Sequence, residues 1–458
     1  MSKILEGLIT RVWNACADPK KSAPAVGLSL GSEVCEGRIT RIPVRLPHQK
    51  RAEHLVMIGR TGSGKSSLLR AMGAQDIRQR RGFLASDHHG DTTPSLLKFI
   101  AAEEHRSGQD LSSKLIVIEP GDPDYSVGLN VLESDVNQQR FVQISEFAAI
   151  LKHRWHLDSF GARTEELLRN TLHVLADNQL TLLEVAPLLT SAPFRSRLLR
   201  HVENPDVRNF FESRYNAAKP GMQAAMSGPV LNKLSAFTAD PHFRHLLGQA
   251  RSTFSLREAL DQGYWILLNL DKGRLGPESA TVASLFLAKI KNALFSRARR
   301  DLFTLYCDEI QNLVTHDSGL EVLFSEARKF GVGVASANQY LDQYPPQMRS
   351  AVLAVGTHIF FRLSSADAEH AVRALDGGRA LAELLKDLPP RQFVVKTGEE
   401  PWKRVLAPTV REPEIDYSDL LRRSRERFAR KRAEVEEEIT KRQPKARESR
   451  EEVLRDWE

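Results

Sequence analysis

No apolar stretch of the sequence reaches the roughly 18–20 residues that a helix needs to cross a bilayer. The opening residues, MSKILEGLITRVWNACADPKK, are amphipathic but contain no apolar signal core followed by a small-residue cleavage site. The expectation is a cytoplasmic protein, or at most one peripheral at the inner membrane. Cysteine is as scarce as long apolar runs. Cys16, Cys35 and Cys307 lie far apart and form no CxxC pair, which suits a reducing compartment and excludes a zinc framework. There is no internal repeat.

What is present is ordinary in bulk. The chain of 458 residues is long enough for two or three domains, and 41% hydrophobic with 27% charged residues is typical of a globular protein. The formal net charge of +7 favours a polyanionic partner, though only weakly.

The organisation follows from hydrophobic patterning. Short apolar runs predict strands at 54–59, 82–87, 114–120, 264–270, 302–309, 331–337, 357–363 and 391–398. Such runs, separated by helical stretches, predict a mostly parallel sheet covered on both faces. Between the third and fourth runs, segments such as RTEELLRNTLHVLADN place apolar residues three and four apart, the spacing of amphipathic helices. The expected division is a leader over 1–45 and the first part of an α/β nucleotide-binding domain over 46–133. An all-α insertion follows over 134–245, then the second part of the α/β domain over 246–411 and a charged helical tail over 412–458. The tail is read as a solvated helix broken near Pro444, or as a docking segment for a partner.

The sharpest local signal is HLVMIGRTGSGKSSLLRAM, from His54 to Met72. Its centre, Gly59-Arg60-Thr61-Gly62-Ser63-Gly64-Lys65-Ser66 with Ser67 following, fits G-x-x-x-x-G-K-[ST] between a strand and a helix. Backbone N–H groups in such a loop point into one concavity, and the helix N-terminus adds a positive dipole end. Lys65 is expected on the β- and γ-phosphates of ATP, and the Ser66 hydroxyl on Mg²⁺. Hydrolysis also needs a carboxylate for the metal and a group that activates water. LFTLYCDEIQNL delivers Asp308 and Glu309 to the carboxyl end of a strand, the first for Mg²⁺ and the second as general base.

Further polar residues complete the set. Asn338 and Gln339 end an apolar strand, and Gln339 is expected to sense the γ-phosphate. Arg328, in SEARKFG, suits a finger onto a neighbouring subunit's ATP or a cap on its own helix, and Arg362 is its rival. In SDHHGD, Asp87 is expected to tune the nucleotide site; a metal role for the two histidines is the weaker alternative.

Taken in order, these motifs resemble the FtsK/HerA superfamily of ring-shaped DNA motors, and within it the type IV secretion coupling proteins (TraD/TraG-like). GRTGSGKSS carries the T-G-S-G-K core, SDHHGD is similar to D-P-H-G-D, and EPGDPDYSVGLNVLE is similar to D-P-x-x-P-x-G-x-N-P-L-E. YWILLNLDKGRLG, YCDEIQNL, EARKFGV and ANQYLDQ follow in the same order, so the resemblance runs from about 50 to about 400. His88 and Val131 stand where the pattern has proline, which alters loop stiffness more than chemistry. The resemblance implies a RecA-like P-loop NTPase in which Lys65, Ser66, Asp308, Glu309, Gln339 and Arg328 take the roles above. It also implies a homohexamer with DNA in its pore. Coupling proteins usually carry N-terminal transmembrane helices, for which this sequence has no candidate.

Three readings follow. The first is an ATP-driven DNA translocase of the conjugative kind, partnered with a relaxase or secretion-channel subunits. The second is a HerA-like motor partnered with a nuclease in repair or phage defence. The third is a protein-secretion ATPase without DNA in its pore. The ABC transport class is disfavoured because LSGGQ is absent. For DNA contact the basic clusters are IRQRR (77–81), KHRWH (152–156) and SRARR (296–300). Only KHRWH pairs its cations with an aromatic able to stack on a base.

Overall fold

The computed structural model describes residues 27–133, 140–157, 161–310, 320–344 and 346–443. Apolar runs such as LVMI and LIVI form strands buried along their whole length, which is what coverage of both sheet faces requires. In chain order the strands are β1 (Leu28–Cys35), β2 (Arg38–Leu46), β3 (Leu55–Ile58), β4 (Phe83–Asp87), β5 (Leu115–Ile118), β6 (Tyr125–Ser126) and β7 (Trp265–Asn269). They continue with β8 (Phe303–Asp308), β9 (Val332–Asn338), β10 (Thr357–Phe360), β11 (Gln392–Thr397), β12 (Lys403–Leu406) and β13 (Arg430–Lys431).

One sheet has the order β2-β1-β12-β11-β10-β3-β9-β8-β4-β7-β5. Every pairing from β10 to β5 is parallel. The pairings from β10 out to β2 are antiparallel. The chain leaves β3 in one direction, toward β4, and β9 in the other, toward β10. The strand order therefore reverses beside β3, and the crevice at such a reversal is where α/β sheets bind ligands.

Alternate residues of each strand feed opposite faces. Leu55 and Met57 of β3 pack with α1 (Lys65–Arg78) and α2 (Thr92–Ser107). Val56 and Ile58 belong to the other core, which the long helices α3 (Arg140–Arg154), α4 (Ala162–Asp177), α5 (Pro220–Thr238) and α6 (Ser279–Phe295) also enter. Ile144, Leu167 and Val230 share this cluster with strand residues Ile116 and Leu268, so the inserted helices complete the sheet's own core. Among the described residues between 134 and 245, every regular element is helical.

Two segments differ from the expectation. The second half of the leader is not outside the sheet: β1 and β2 form its antiparallel edge, with β1 paired to β12. Gly31 is required there, because a Cβ would lie 2.0 Å from the Leu406 carbonyl oxygen and its φ is +135°. The charged tail is not merely solvated. Helix α7 (Ser418–Phe428) buries Leu420 against the α1–α2 face, and Ser424 Oγ donates to the Leu115 carbonyl at 2.6 Å. β13 pairs with β6, and α8 (Arg432–Arg442) packs Val435 and Ile439 on Leu183 of the insertion. The tail thus straps the β5 side of the sheet to the inserted helices. The break expected at Pro444 lies outside the described residues.

Candidate active site

β3 delivers the glycine-rich loop to the crevice. A Cβ on Gly59 would approach Phe361 Cβ to 2.5 Å, so only glycine lets the loop leave the strand there. Gly62 and Gly64 adopt φ of +74° and +116°, curling the backbone into the following helix. α1 starts at Lys65 with no side-chain cap, which leaves first-turn N–H groups for an anion. The Lys65 ammonium is buried and donates to the carbonyls of Gly59 at 2.7 Å and Arg60 at 3.3 Å. Burial lowers its pKa, while Asp308 and Glu309 act in the opposite sense.

β9 lies between β3 and β8, so the acidic strand faces the loop across one intervening strand. Ser66 Oγ donates to Asp308 Oδ2 at 2.5 Å. Burial raises the Asp308 pKa against the opposing pull of Ser66 and Lys65. Glu309 follows the strand with φ of +54°, a left-handed conformation that costs a non-glycine residue energy. Its N–H still donates to the Ala337 carbonyl at 2.9 Å. Gln339, just past β9, donates Nε2–H to Glu309 Oε1 at 3.1 Å.

These groups share one cavity of about 380 Å³, lined among others by Lys65, Ser66, His89, Asp308, Glu309 and Gln339. Thr61, Gly62, Gly64 and Ser67 supply the loop side. Gly59 and Ser63 act as scaffold, and exposed Arg60 points into a neighbouring cavity of about 530 Å³ with Arg362 and Tyr340. The donor set fits Mg²⁺ with a triphosphate: one hydroxyl, one buried carboxylate in need of a counter-charge, a lysine satisfied only by carbonyls, and open backbone amides.

The structure does not bring Arg328 to this cavity. Arg328 lies before β9, at the amino ends of the strands, with Nη2 3.1 Å from Glu53 Oε1. Asp87 serves its neighbouring loop: its carboxylate accepts from the N–H groups of His89 (3.2 Å), Gly90 (2.8 Å) and Thr93 (2.7 Å). Among the described residues no three His, Cys, Asp or Glu side chains gather as a metal site, around SDHHGD or elsewhere. For His89 sequence reasoning offered only the weaker metal role and missed its place in the cavity beside Glu309. The motif was legible, but the turn of its side chain depends on Asp87 and on Gly90 at φ +78°.

The DNA reading of KHRWH is overturned. Trp155 is 3% exposed and belongs to the core, Lys152 pairs with Glu165 at 2.7 Å, and Arg154 bonds Ser284 Oγ. Trp155 follows α3 in a turn, and its backbone N–H donates to the Leu151 carbonyl at 2.9 Å, which keeps it beside the buried face of the helix. In the other clusters, Arg80 pairs with Glu103, and buried Arg297 is held by Asp261 and three carbonyls.

The parallel sheet, the loop before α1 and the acidic strand one place removed define the RecA-like P-loop NTPase fold. The sequence matches no family model and no curated protein. Solved structures do match. The bacterial conjugative coupling protein TrwB, in its unbound monoclinic form, aligns with TM-score 0.61 at 17% identity, covering 86% of this chain and 92% of that one. TrwB in complex with ADP and Mg²⁺ gives 0.60 at 18% identity over 87% and 98%. VirB4 of Thermoanaerobacter pseudethanolicus gives 0.58 at 13% identity over 88% and 100%. At these identities the likeness establishes the fold.

Proposed function

We propose that this chain is an ATP-hydrolysing DNA translocase of the coupling-protein kind, working as a homohexameric ring with DNA in its pore. The observation that carries the reading is the single cavity in which Ser66 meets Asp308 at 2.5 Å while Gln339 holds Glu309 beside Lys65. Fold likeness supports it, since TrwB has been solved with ADP and Mg²⁺ and with a non-hydrolysable ATP analogue.

On this reading the loop amides and α1 cradle the phosphates, and Lys65 exchanges its two carbonyl partners for β- and γ-phosphate oxygens. Ser66 and Asp308 would hold Mg²⁺, which would supply positive charge to offset that of the phosphates. Glu309 takes a proton from the water that attacks the γ-phosphorus; the bond to the β,γ-bridging oxygen breaks, giving ADP and phosphate. Gln339 touches Glu309 and lines the same cavity, so it links the state of the phosphate to the end of β9. Arg328, at the opposite ends of the strands, serves a neighbour's site across the ring. The net charge of +7 suits a motor that grips backbone phosphate without reading bases. No helix among the described residues is long and apolar enough to cross a membrane, and docking to a relaxase or channel subunits belongs to the same proposal.

The test is ATP turnover with and without DNA, alongside binding at low salt. Turnover that rises with DNA, and DNA binding that weakens steeply with salt, support the reading. Turnover indifferent to every DNA offered, with no binding at low salt, contradicts it.

A further inference from the structure

The geometry points to His89 as a positioning residue for Glu309. This rests on the ATPase reading and names a component of that site which the phosphate loop and the acidic pair do not supply.

His89 Nε2 lies 3.5 Å from Glu309 Oε1, the same oxygen that accepts from Gln339 Nε2 at 3.1 Å. The glutamate head is therefore approached from the end of β4 by His89 and from the end of β9 by Gln339, on either side of β8, which carries it. Glu309 needs such guides, because its φ of +54° sets it beyond the regular strand.

The segment that carries His89 is fixed before any ligand arrives. Asp87 is 2% exposed and ties down the N–H groups of His89, Gly90 and Thr93. The carbonyls of Asp87 and His88 accept from Leu270 N at 2.8 Å and Lys272 N at 3.2 Å, which bolts the segment to the chain leaving β7. A Cβ on Gly90 would sit 3.2 Å from Asp271 Oδ2, and its left-handed φ excludes an easy replacement. Such support from outside the site is what holds a catalytic carboxylate in one rotamer. At 3.5 Å the imidazole is in electrostatic contact with Glu309 and short of a formed hydrogen bond; a proton on Nε2 attracts that carboxylate and keeps it turned into the cavity. Where one hydrogen bond and one charge contact converge on a single carboxylate oxygen, losing either allows rotation, and small misplacements of a catalytic group carry large rate costs.

The experiment uses the full chain and four proteins: wild type, His89→Ala, His89→Gln, and His89→Ala combined with Glu309→Gln. Steady-state ATP turnover and affinity for a fluorescent ATP analogue with Mg²⁺ are measured for each. His89→Ala is expected to lower kcat on the order of tenfold to a hundredfold with affinity changed less than about twofold. His89→Gln, which retains an N–H donor, should recover most of the rate. The alanine change should cost nothing further once Glu309 is Gln, because the two residues act as one unit. Unchanged kcat in His89→Ala, or a rate loss matched by an equal loss of affinity, overturns the assignment. A wild type that binds and hydrolyses no ATP overturns the functional reading and this one together.

Discussion

Ser66 Oγ and Asp308 Oδ2 meet at 2.5 Å although 242 positions separate the two residues in the chain. The sheet makes the meeting possible. β3 and β8 flank β9, and α1 rises from the end of β3 so that its first turn looks across β9 at the end of β8. The cavity is thus a property of strand order.

That contact yields a first prediction. Asp308 is buried, and burial raises its pKa, so holding the carboxylate charged at neutral pH costs the empty protein stability. Asp308→Asn removes the charge and retains an oxygen to accept from Ser66. Melting without nucleotide should occur a few degrees higher, while Mg²⁺-dependent turnover falls about 100-fold or more. A scan of melting temperature beside an activity assay reads both.

A second prediction concerns what holds α1 against the sheet. Arg51 donates to Asp76 at 2.8 and 2.5 Å, to Thr304 Oγ1 at 2.7 Å and to Tyr306 Oη at 2.9 Å, all in the interior. Asp76 lies on α1 and the other two acceptors on β8. Asp76→Ala would leave the guanidinium buried without its carboxylate, and should cost about 3–5 kcal/mol in denaturant unfolding.

Arg328 supplies a third. If it acts across a subunit boundary, Arg328→Ala and Glu309→Gln proteins should each be nearly inactive alone and recover part of the activity when mixed. Some interfaces in a mixed ring are intact on both sides. Activity that stays at the sum of the separate variants places Arg328 in the structure of its own subunit, beside Glu53.

Acid should destabilise the fold through His54, which is 3% exposed; burial holds its pKa down at about 4, with Arg328 adding to the shift. Because the folded pKa is depressed, the unfolded chain binds the proton first. The penalty is absent above about pH 6.5 and grows as pH falls toward 4, reaching about 2 kcal/mol near pH 5. His54→Gln, which keeps an acceptor for the Val334 N–H, should show a drop between pH 7 and 5 smaller by about that amount.

Much of this arrangement is legible in the sequence. Strands β3, β4, β5 and β7 to β10 announce themselves as short apolar runs because parallel strands are buried on both faces, and antiparallel β11 does so through buried Phe393, Val394 and Val395. The loop at Gly59–Ser66 reads directly, since its glycines answer to backbone geometry and not to distant contacts. The edge strands do not. β1 carries Gly31 in its middle, and exposed Arg38, Arg41 and Arg45 interrupt β2. The tail hides its few anchors, Leu420, Val435 and Ile439, among charges that read as a solvated surface. His89 was legible as a motif residue but not in its role. His88 takes the pattern's proline position and is 1% exposed, while His89 reaches the cavity, and nothing in the motif says that it meets Glu309.

The central claim is that Glu309 activates water against a phosphate gripped at Lys65, and Glu309→Gln tests it most directly. Affinity for an ATP analogue with Mg²⁺ and single-turnover hydrolysis of ATP should be measured on the same preparation. Affinity within about twofold of wild type, with hydrolysis slowed by about 100-fold or more, is the predicted result. Hydrolysis at the wild-type rate would contradict the account.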